Sequence, residues 1–313
     1  MFTKPKTVAG PAIASIQQDT RAAVVMVTPA FLGLLAFIAI PFLLAIFLST
    51  QNLQFGSGLA PTWMGLEQYR RILLDPLFRA DFYRALINNA TFAVVVVPAQ
   101  TGLALAIALL LNRRLRGMPV FRTLFFMPVV FPMALVSVIW KLIYAPDDVG
   151  MLNTVLKVVT FGHIQPHDFL GDPKTALAAI IVTSIWSGVG FQMVIILAGL
   201  QSISATLYEA ASIDKASKWQ QFLNVTVPGL RNTLVFVVMV TTILSLRLFD
   251  QVYIMTRGGP LNATTTVMYQ AVTSAFDQGN IGRAAAITVV FFVLVLGVAL
   301  IQRWFLREER EIV

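Results

Sequence analysis

The feature that most constrains this chain is a series of long apolar runs with hardly a charge inside them. About 20 helical residues cross the hydrocarbon core of a bilayer, and several runs here reach that length. In hydrocarbon a backbone N–H or C=O must find its partner within protein, so such runs fold as helices. Spans are expected at Ala22–Leu48, Leu86–Leu111, Phe121–Ile143, Ala176–Gly199, Thr233–Tyr253 and Arg283–Phe305. The composition agrees: hydrophobic residues make up 57% and charged residues 12%, against roughly 25% charged in a soluble domain. The first run is longer than the 7–15 residues of a typical cleavable signal core and follows a mixed segment, so it reads as a retained span.

Lys and Arg set the orientation, because they collect on the cytoplasmic side. The short stretch Asn112–Arg122 carries Arg113, Arg114, Arg116 and Arg122, and Arg303, Arg307 and Arg310 crowd the C-terminal end. With both termini inside, the basic residues of the inner segments outnumber those of the longer outer ones. The expected architecture is therefore an all-α integral membrane protein with six transmembrane helices. It has a cytoplasmic segment 1–21 and a membrane domain 22–313, with its core at about 86–305. The net charge of +8 then reflects topology and not nucleic acid binding. Pro29, Pro41, Pro98, Pro128 and Pro132 fall inside spans, where neighbouring helices can satisfy the carbonyls they free. Gly102, Gly188, Gly190 and Gly297 let helices approach closely, within this chain or against a partner.

There is no cysteine, which removes thiol chemistry and thiolate metal sites. His163 and His167 have no third ligand spaced near them, so no metal site is expected. Lys141 at the end of span three reads as a snorkelling anchor, and Trp63, Trp140 and Trp304 as interfacial anchors.

The longest inner loop, 201–232, joins spans four and five. It is helix-prone from Ala205 to Ser212, with Ser204 positioned to cap the first turn. A second short helix fits Ser217 to Leu223, with Trp219 and Phe222 on one face, and Pro228 is expected to stop it. From the residues alone, this helix–turn–helix is either a packed loop or a docking element.

The loop resembles the coupling motif of ABC importer permeases: Glu-Ala-Ala, two residues, Asp-Gly-Ala, then Trp-Gln and a terminal Pro. The matching residues are Glu209, Ala210, Ala211, Asp214, Ala216, Trp219, Gln220, Phe222 and Pro228. Lys215 departs from the pattern, standing where the family has Gly; a left-handed turn there costs about 1–2 kcal/mol for a residue with a Cβ. Further segments are similar to the maltose-type sugar branch, among them Asn88-Asn89, Phe121–Pro128, Trp186 with Gly190-Phe191, Phe249-Asp250, Gly258–Pro260 and Thr264–Thr266.

This resemblance implies a type I ABC importer permease fold in a bacterial inner membrane. It implies a heterodimer with a second permease, two ATPase subunits that bind ATP and Mg, and an extracytoplasmic solute-binding protein. This chain itself holds no cofactor and is not an enzyme, and no phosphate-cradling Gly-x-x-x-x-Gly-Lys-Ser/Thr is present. Glu209, Ala210, Ala211, Asp214, Lys215, Trp219 and Pro228 are the expected ATPase-coupling residues. Trp186, Gln192, Ser245, Arg247 and Asp250 are the expected lining of the path for a sugar or sugar-like solute. Arg247 and Asp250, three apart in one expected helix, can form a structural ion pair or line that path. The alternative function is a secondary transporter or channel for a small polar solute, which usually needs acidic groups within the bilayer. A membrane enzyme would need clustered catalytic groups, and the spans offer none.

Overall fold

The computed structural model describes residues 12–58, 60–113 and 116–305, with side chains from residue 23. The first part of the expected cytoplasmic segment 1–21 lies outside the described residues, as do Arg114, Arg307 and Arg310 of the charge argument. Fourteen α-helices follow one another among the described residues. The first span is α1 (Ala12–Leu34) and α2 (Ile40–Ser49), joined by a π turn at Leu35–Ala39. A two-residue antiparallel ribbon, Gln51–Asn52 with Thr62–Trp63, leads to α3 (Glu67–Leu74) and α4 (Pro76–Leu111). Then come α5 (Met118–Val130), α6 (Met133–Ile143), α7 (Met151–Val159) and α8 (Ala176–Ser202). The loop helices are α9 (Ala205–Ile213), α10 (Lys218–Gln221) and α11 (Val227–Gly229). The chain finishes with α12 (Arg231–Leu246), α13 (Val267–Phe276) and α14 (Ile281–Phe305).

Four helices are each long and apolar enough to cross a membrane, and two bent pairs bring the number to six. Span two starts earlier than expected, at Pro76, because Asp75 caps it: its carboxylate accepts from Leu77 N at 2.9 Å. Pro76 at the first helical position lacks an N–H that no helix needs there. Span three is not one helix. α5 and α6 meet at 98°, because Pro132 lacks the N–H to continue α5 and pushes Phe131 into an extended conformation, with ψ of 136°.

Span five also departs from expectation. The helix ends at Leu246, and Arg247 leaves helical geometry with φ −85° and ψ 18°. The chain then regains a helical turn and passes into a π turn at Val252–Thr256. The carbonyls freed by this break are taken up by distant side chains. Asn89 donates from Nδ2 to Leu246 O at 3.0 Å and accepts from Val267 N at 3.0 Å. Thr266 Oγ1 donates to Leu248 O at 2.9 Å. Asn88 donates to Asn262 O and Thr265 O at 3.1 and 2.9 Å. Lys141, read from sequence as an anchor, donates from Nζ to Ile254 O at 3.2 Å.

α8 is the central helix, packed along α4 and against α5 and α12. One apolar cluster joins α4, α8 and α12 near the loop end, with Ala104, Met193, Ile196, Leu200, Leu230 and Val237. A second, with Phe92, Val96, Ile180, Leu248 and Val252, lies on the far side of the bundle's middle. α14 carries a third with α3, α4 and α13, and Phe42 of α2 packs on Phe292 of α14 at 4.4 Å.

Gly190 is where α5 and α8 close: a methyl there would overlap the Phe125 carbonyl, whereas Gly102 faces open space. Gly190→Ala should therefore destabilise the purified protein in detergent by about 1–3 kcal/mol. Gly102→Ala should match or slightly exceed wild type, and thermal unfolding of the two variants side by side is the check.

Candidate functional site: a cavity between two broken spans

Both breaks open onto one cavity of about 590 Å3, well inside the range of small-molecule sites. The α5–α6 elbow contributes Val129, Phe131 and Met133, and the break after α12 contributes Arg247, Phe249, Asp250 and Gln251. α4 supplies Phe92, Val96 and Gln100; α8 supplies Ser184, Ser187, Phe191 and Gln192; α12 supplies Thr241 and Ser245. The lining thus mixes aromatic rings with amides, hydroxyls and one charge of each sign. That mixture suits a solute with apolar C–H faces and many hydroxyls.

Gln192, Ser245, Arg247 and Asp250 of the expected path all line the cavity. Trp186 does not: it packs edge-on against Trp140 at 5.5 Å, which in turn meets Tyr144 at 5.2 Å. One residue of α8 turns by about 100°, so Trp186 falls outside the cavity-facing stripe of Ser184, Ser187, Gly188, Phe191 and Gln192. The expected ion pair is also absent. Arg247 and Asp250 do not share a helix face, because α12 ends at Leu246, before both of them, and no salt bridge joins them among the described residues. Both are exposed toward the cavity side. Gln100 and Gln251 went unnoticed in the sequence, although a buried amide inside or beside an apolar run is itself a signal. His167 is held by Thr175 Oγ1 and Asp172, each at 3.2 Å, and is accounted for as a loop brace.

The second candidate is the loop after α8. Ser204 caps α9 by accepting from Thr206 N at 3.3 Å, as its position in the sequence suggests. Lys215 keeps the left-handed turn with φ of 56°, so the fold tolerates a side chain where the related motif has glycine. Ser217 and Gln220 form a reciprocal capping box at α10. The second short helix does not end at Leu223. It continues through a π turn at Phe222–Thr226 into α11, and Pro228 sits inside that last turn. The 65° bend follows it, before α12. Trp219 stacks on Phe222 at 5.3 Å. Leu207, Ile213 and Trp219 are exposed, Ile213 to 81%. Glu209 and Asp214 are exposed, and Ala210 is exposed beside the half-buried Ala211. Tyr208 ties the element to the bundle by a 3.0 Å hydrogen bond to Thr226.

Membrane-spanning helices around a cavity whose largely apolar wall carries several polar groups, with an exposed apolar element at one end, fit a solute permease. The chain belongs to the family of binding-protein-dependent transport system inner membrane components, which matches residues 100–311. It is 34% identical over 287 residues to the probable ABC transporter permease protein YurN of Bacillus subtilis, covering 90% of this chain and 95% of that one. It is 34% identical over 239 residues to the trehalose/maltose transport system permease protein MalF of Thermococcus litoralis, covering 76% and 78%. The fold is shared with a bacterial alginate ABC transporter solved in complex with its alginate pentasaccharide-bound periplasmic protein. There the TM-score is 0.78 at 18% identity, over 95% of this chain and 98% of that one. The chain is thus a multi-pass membrane subunit of an ABC transporter and not an enzyme. Nothing in the family match supports a secondary transporter or channel.

Because Arg247 and Asp250 are unpaired, Arg247→Gln and Asp250→Asn should each shift folding stability by no more than about 0.5 kcal/mol. The double variant should equal the sum of the two. A double-mutant cycle read by thermal unfolding in detergent checks this. Rescue of one single variant by the other would restore the structural-pair reading.

Proposed function

We propose that this chain is one of two related permease subunits of an ATP-driven importer for a sugar or sugar-like solute, such as a sugar alcohol or glycerol derivative. The observation that carries this reading is the cavity between the two broken spans, whose amides, hydroxyls and aromatic rings suit such a solute. The family and the sugar-transport relatives support it. The mechanism is alternating access. A solute-binding protein outside a bacterial plasma membrane delivers the solute. Two ATPase subunits, which bind ATP and Mg, close beneath the bundle and drive the cavity open outward. Loop 201–232 is the docking element, on the inner side with both termini. Its exposed Leu207, Ile213 and Trp219 are apolar surface of the kind that marks a contact with a partner.

Within that element Glu209 is the main polar coupling contact. It is exposed and has no hydrogen bond or ion pair among the described residues, so its carboxylate is free to meet a basic group on an ATPase. Ala210, Ala211, Asp214, Lys215, Trp219 and Pro228 shape the surface around it. The reading is tested by reconstituting the chain in proteoliposomes with a second permease, the ATPases and the binding protein. ATP-dependent sugar uptake is the expected result, and uptake by this chain alone, without ATP, would overturn it. Glu209→Lys should express and insert normally but abolish uptake, with the ATPases lost or no longer stimulated. Wild-type assembly and uptake in that variant would refute the docking assignment.

A further inference from the structure

The connection between α6 and α8 carries an apolar surface that this chain does not cover. α7 has two faces. Leu152 and Leu156 are half-buried, and Leu152 packs on the cluster that holds Tyr144 and Ile180. Asn153 is buried and fastens the helix in place. Its Nδ2 donates to Ala145 O at 3.2 Å and to His167 O at 2.9 Å, and its Oδ1 accepts from His167 N at 3.0 Å. The other face, with Met151, Val155, Val158 and Val159 on one stripe, is exposed. Phe161 follows just past the helix and is 91% exposed. Its φ of 52° is left-handed, a conformation that a bulky side chain disfavours. The backbone is thus strained to hold a ring that gains nothing from its own chain.

The chemistry of this face narrows what can cover it. From Met151 to Gly162 the only charged residue is Lys157. Its Nζ meets both carboxylate oxygens of Asp148, at 2.9 and 2.8 Å, so the charge is neutralised on the flank. A soluble protein that docks and departs would return the stripe to water each time, and soluble surfaces rarely expose contiguous apolar patches of this kind. The cover is therefore permanent. α6, in contact with α7, shows what it is. Within a membrane-crossing pair of helices, α6 buries Val136 and Ser137 and leaves Leu135, Val138, Ile139 and Leu142 exposed. Val149, just before α7, extends that exposed apolar surface beyond Leu142.

We propose that α7 and Phe161 lie in the bilayer interface, at the end of the bundle away from loop 201–232. The partner of this face is lipid: Met151, Val155, Val158 and Phe161 dip among the acyl chains, and Lys157 with Asp148 stays at headgroup level. Interfacial helices bury their apolar face about 5–10 Å into that boundary. Asn153 ties α7 to both halves of the connection, at Ala145 and His167, so the anchor fixes the depth at which α8 enters the membrane.

The chain has no cysteine, so one introduced residue can carry a spin label. Val155→Cys, Val158→Cys and Phe161→Cys are each labelled, with Lys157→Cys as the flank control. The chain is assembled with cysteine-free partner subunits in vesicles of phosphatidylethanolamine and phosphatidylglycerol. Collisions with oxygen, which concentrates in hydrocarbon, are compared with those of a water-soluble nickel chelate. At the three apolar positions oxygen should exceed nickel severalfold, and at Lys157→Cys the order should reverse. Nickel exceeding oxygen at the apolar positions places the face in water and overturns the inference. Few collisions with either probe means that another protein covers it, which overturns the inference equally. Phe161→Trp gives a second reading that needs no label. Its added fluorescence should be largely quenched when brominated phosphatidylcholine replaces the vesicle lipid, and no quenching would refute the lipid contact. Neither measurement reads transport, so failure here leaves the importer reading intact.

Discussion

The hydrogen bonds of Asn89 are the interaction on which the rest of this bundle depends. A helix that stops inside a membrane protein leaves carbonyls with no donor, and hydrocarbon offers no water to replace one. At the end of α12 the Leu246 carbonyl is in that position, and Asn89 supplies the missing N–H while its own oxygen takes the first N–H of α13. Thr266 does the same for Leu248, and Asn88 holds the loop before α13 through two carbonyls. α4 is long, continuous from Pro76 to Leu111 and capped by Asp75, so it offers a frame for a neighbouring span that is broken. With that clasp in place, the chain past Leu246 leaves helical geometry and lines the cavity from Arg247 to Gln251.

The two breaks are therefore the origin of the site. An unbroken apolar helix can present a stripe of side chains but not a concave wall with charged residues at its edge. The α5–α6 elbow brings Phe131 to the cavity, and the α12 break brings Arg247 through Gln251. Between them α8 contributes hydroxyls and an amide from one face. The hydroxyls of Ser184, Thr241 and Thr242 each donate to the carbonyl four residues earlier. That back-bonding hides their protons in apolar surroundings and leaves oxygens that can accept, which is how a membrane helix carries polar function at little cost in burial.

Much of this was legible in the sequence, and the exceptions have physical causes. The spans follow from apolar length, the elbow from Pro132, the α9 cap from Ser204, and the earlier start of α4 from Asp75-Pro76, a signal present but unused. The break in span five has no local signal. No proline or glycine lies between Thr233 and Tyr253, and the Asn89 amide that takes up the Leu246 carbonyl sits on α4, well over a hundred residues away in sequence. The three-residue spacing of Arg247 and Asp250 therefore reads as one helix face, whereas in the structure both follow the end of α12 and line the cavity without an ion pair between them. Trp186 shows the other limit. Its presence in an apolar run identifies a span, but which stripe faces the cavity is decided by how α8 packs on α4 and α5.

The cavity and the loop are linked by continuous structure. α8 carries Ser184 and Gln192 and runs on to Ser202, directly into the loop; α12 leaves the loop at Arg231 and carries Thr241 and Ser245. The apolar cluster of Met193, Ile196, Leu200, Leu230 and Val237 ties the two helices together between loop and cavity. Interiors packed this closely transmit displacement instead of absorbing it. The 65° bend between α11 and α12 and the π turn before it lie on the loop side of that cluster. Under the proposed mechanism, force applied at Glu209 and Trp219 reaches the cavity through the Leu230 end of α12. The Gln192–Thr241 hydrogen bond crosses between the same two helices at the level of the cavity, so a displacement entering at the loop reaches the cavity wall through both packing and hydrogen bonding.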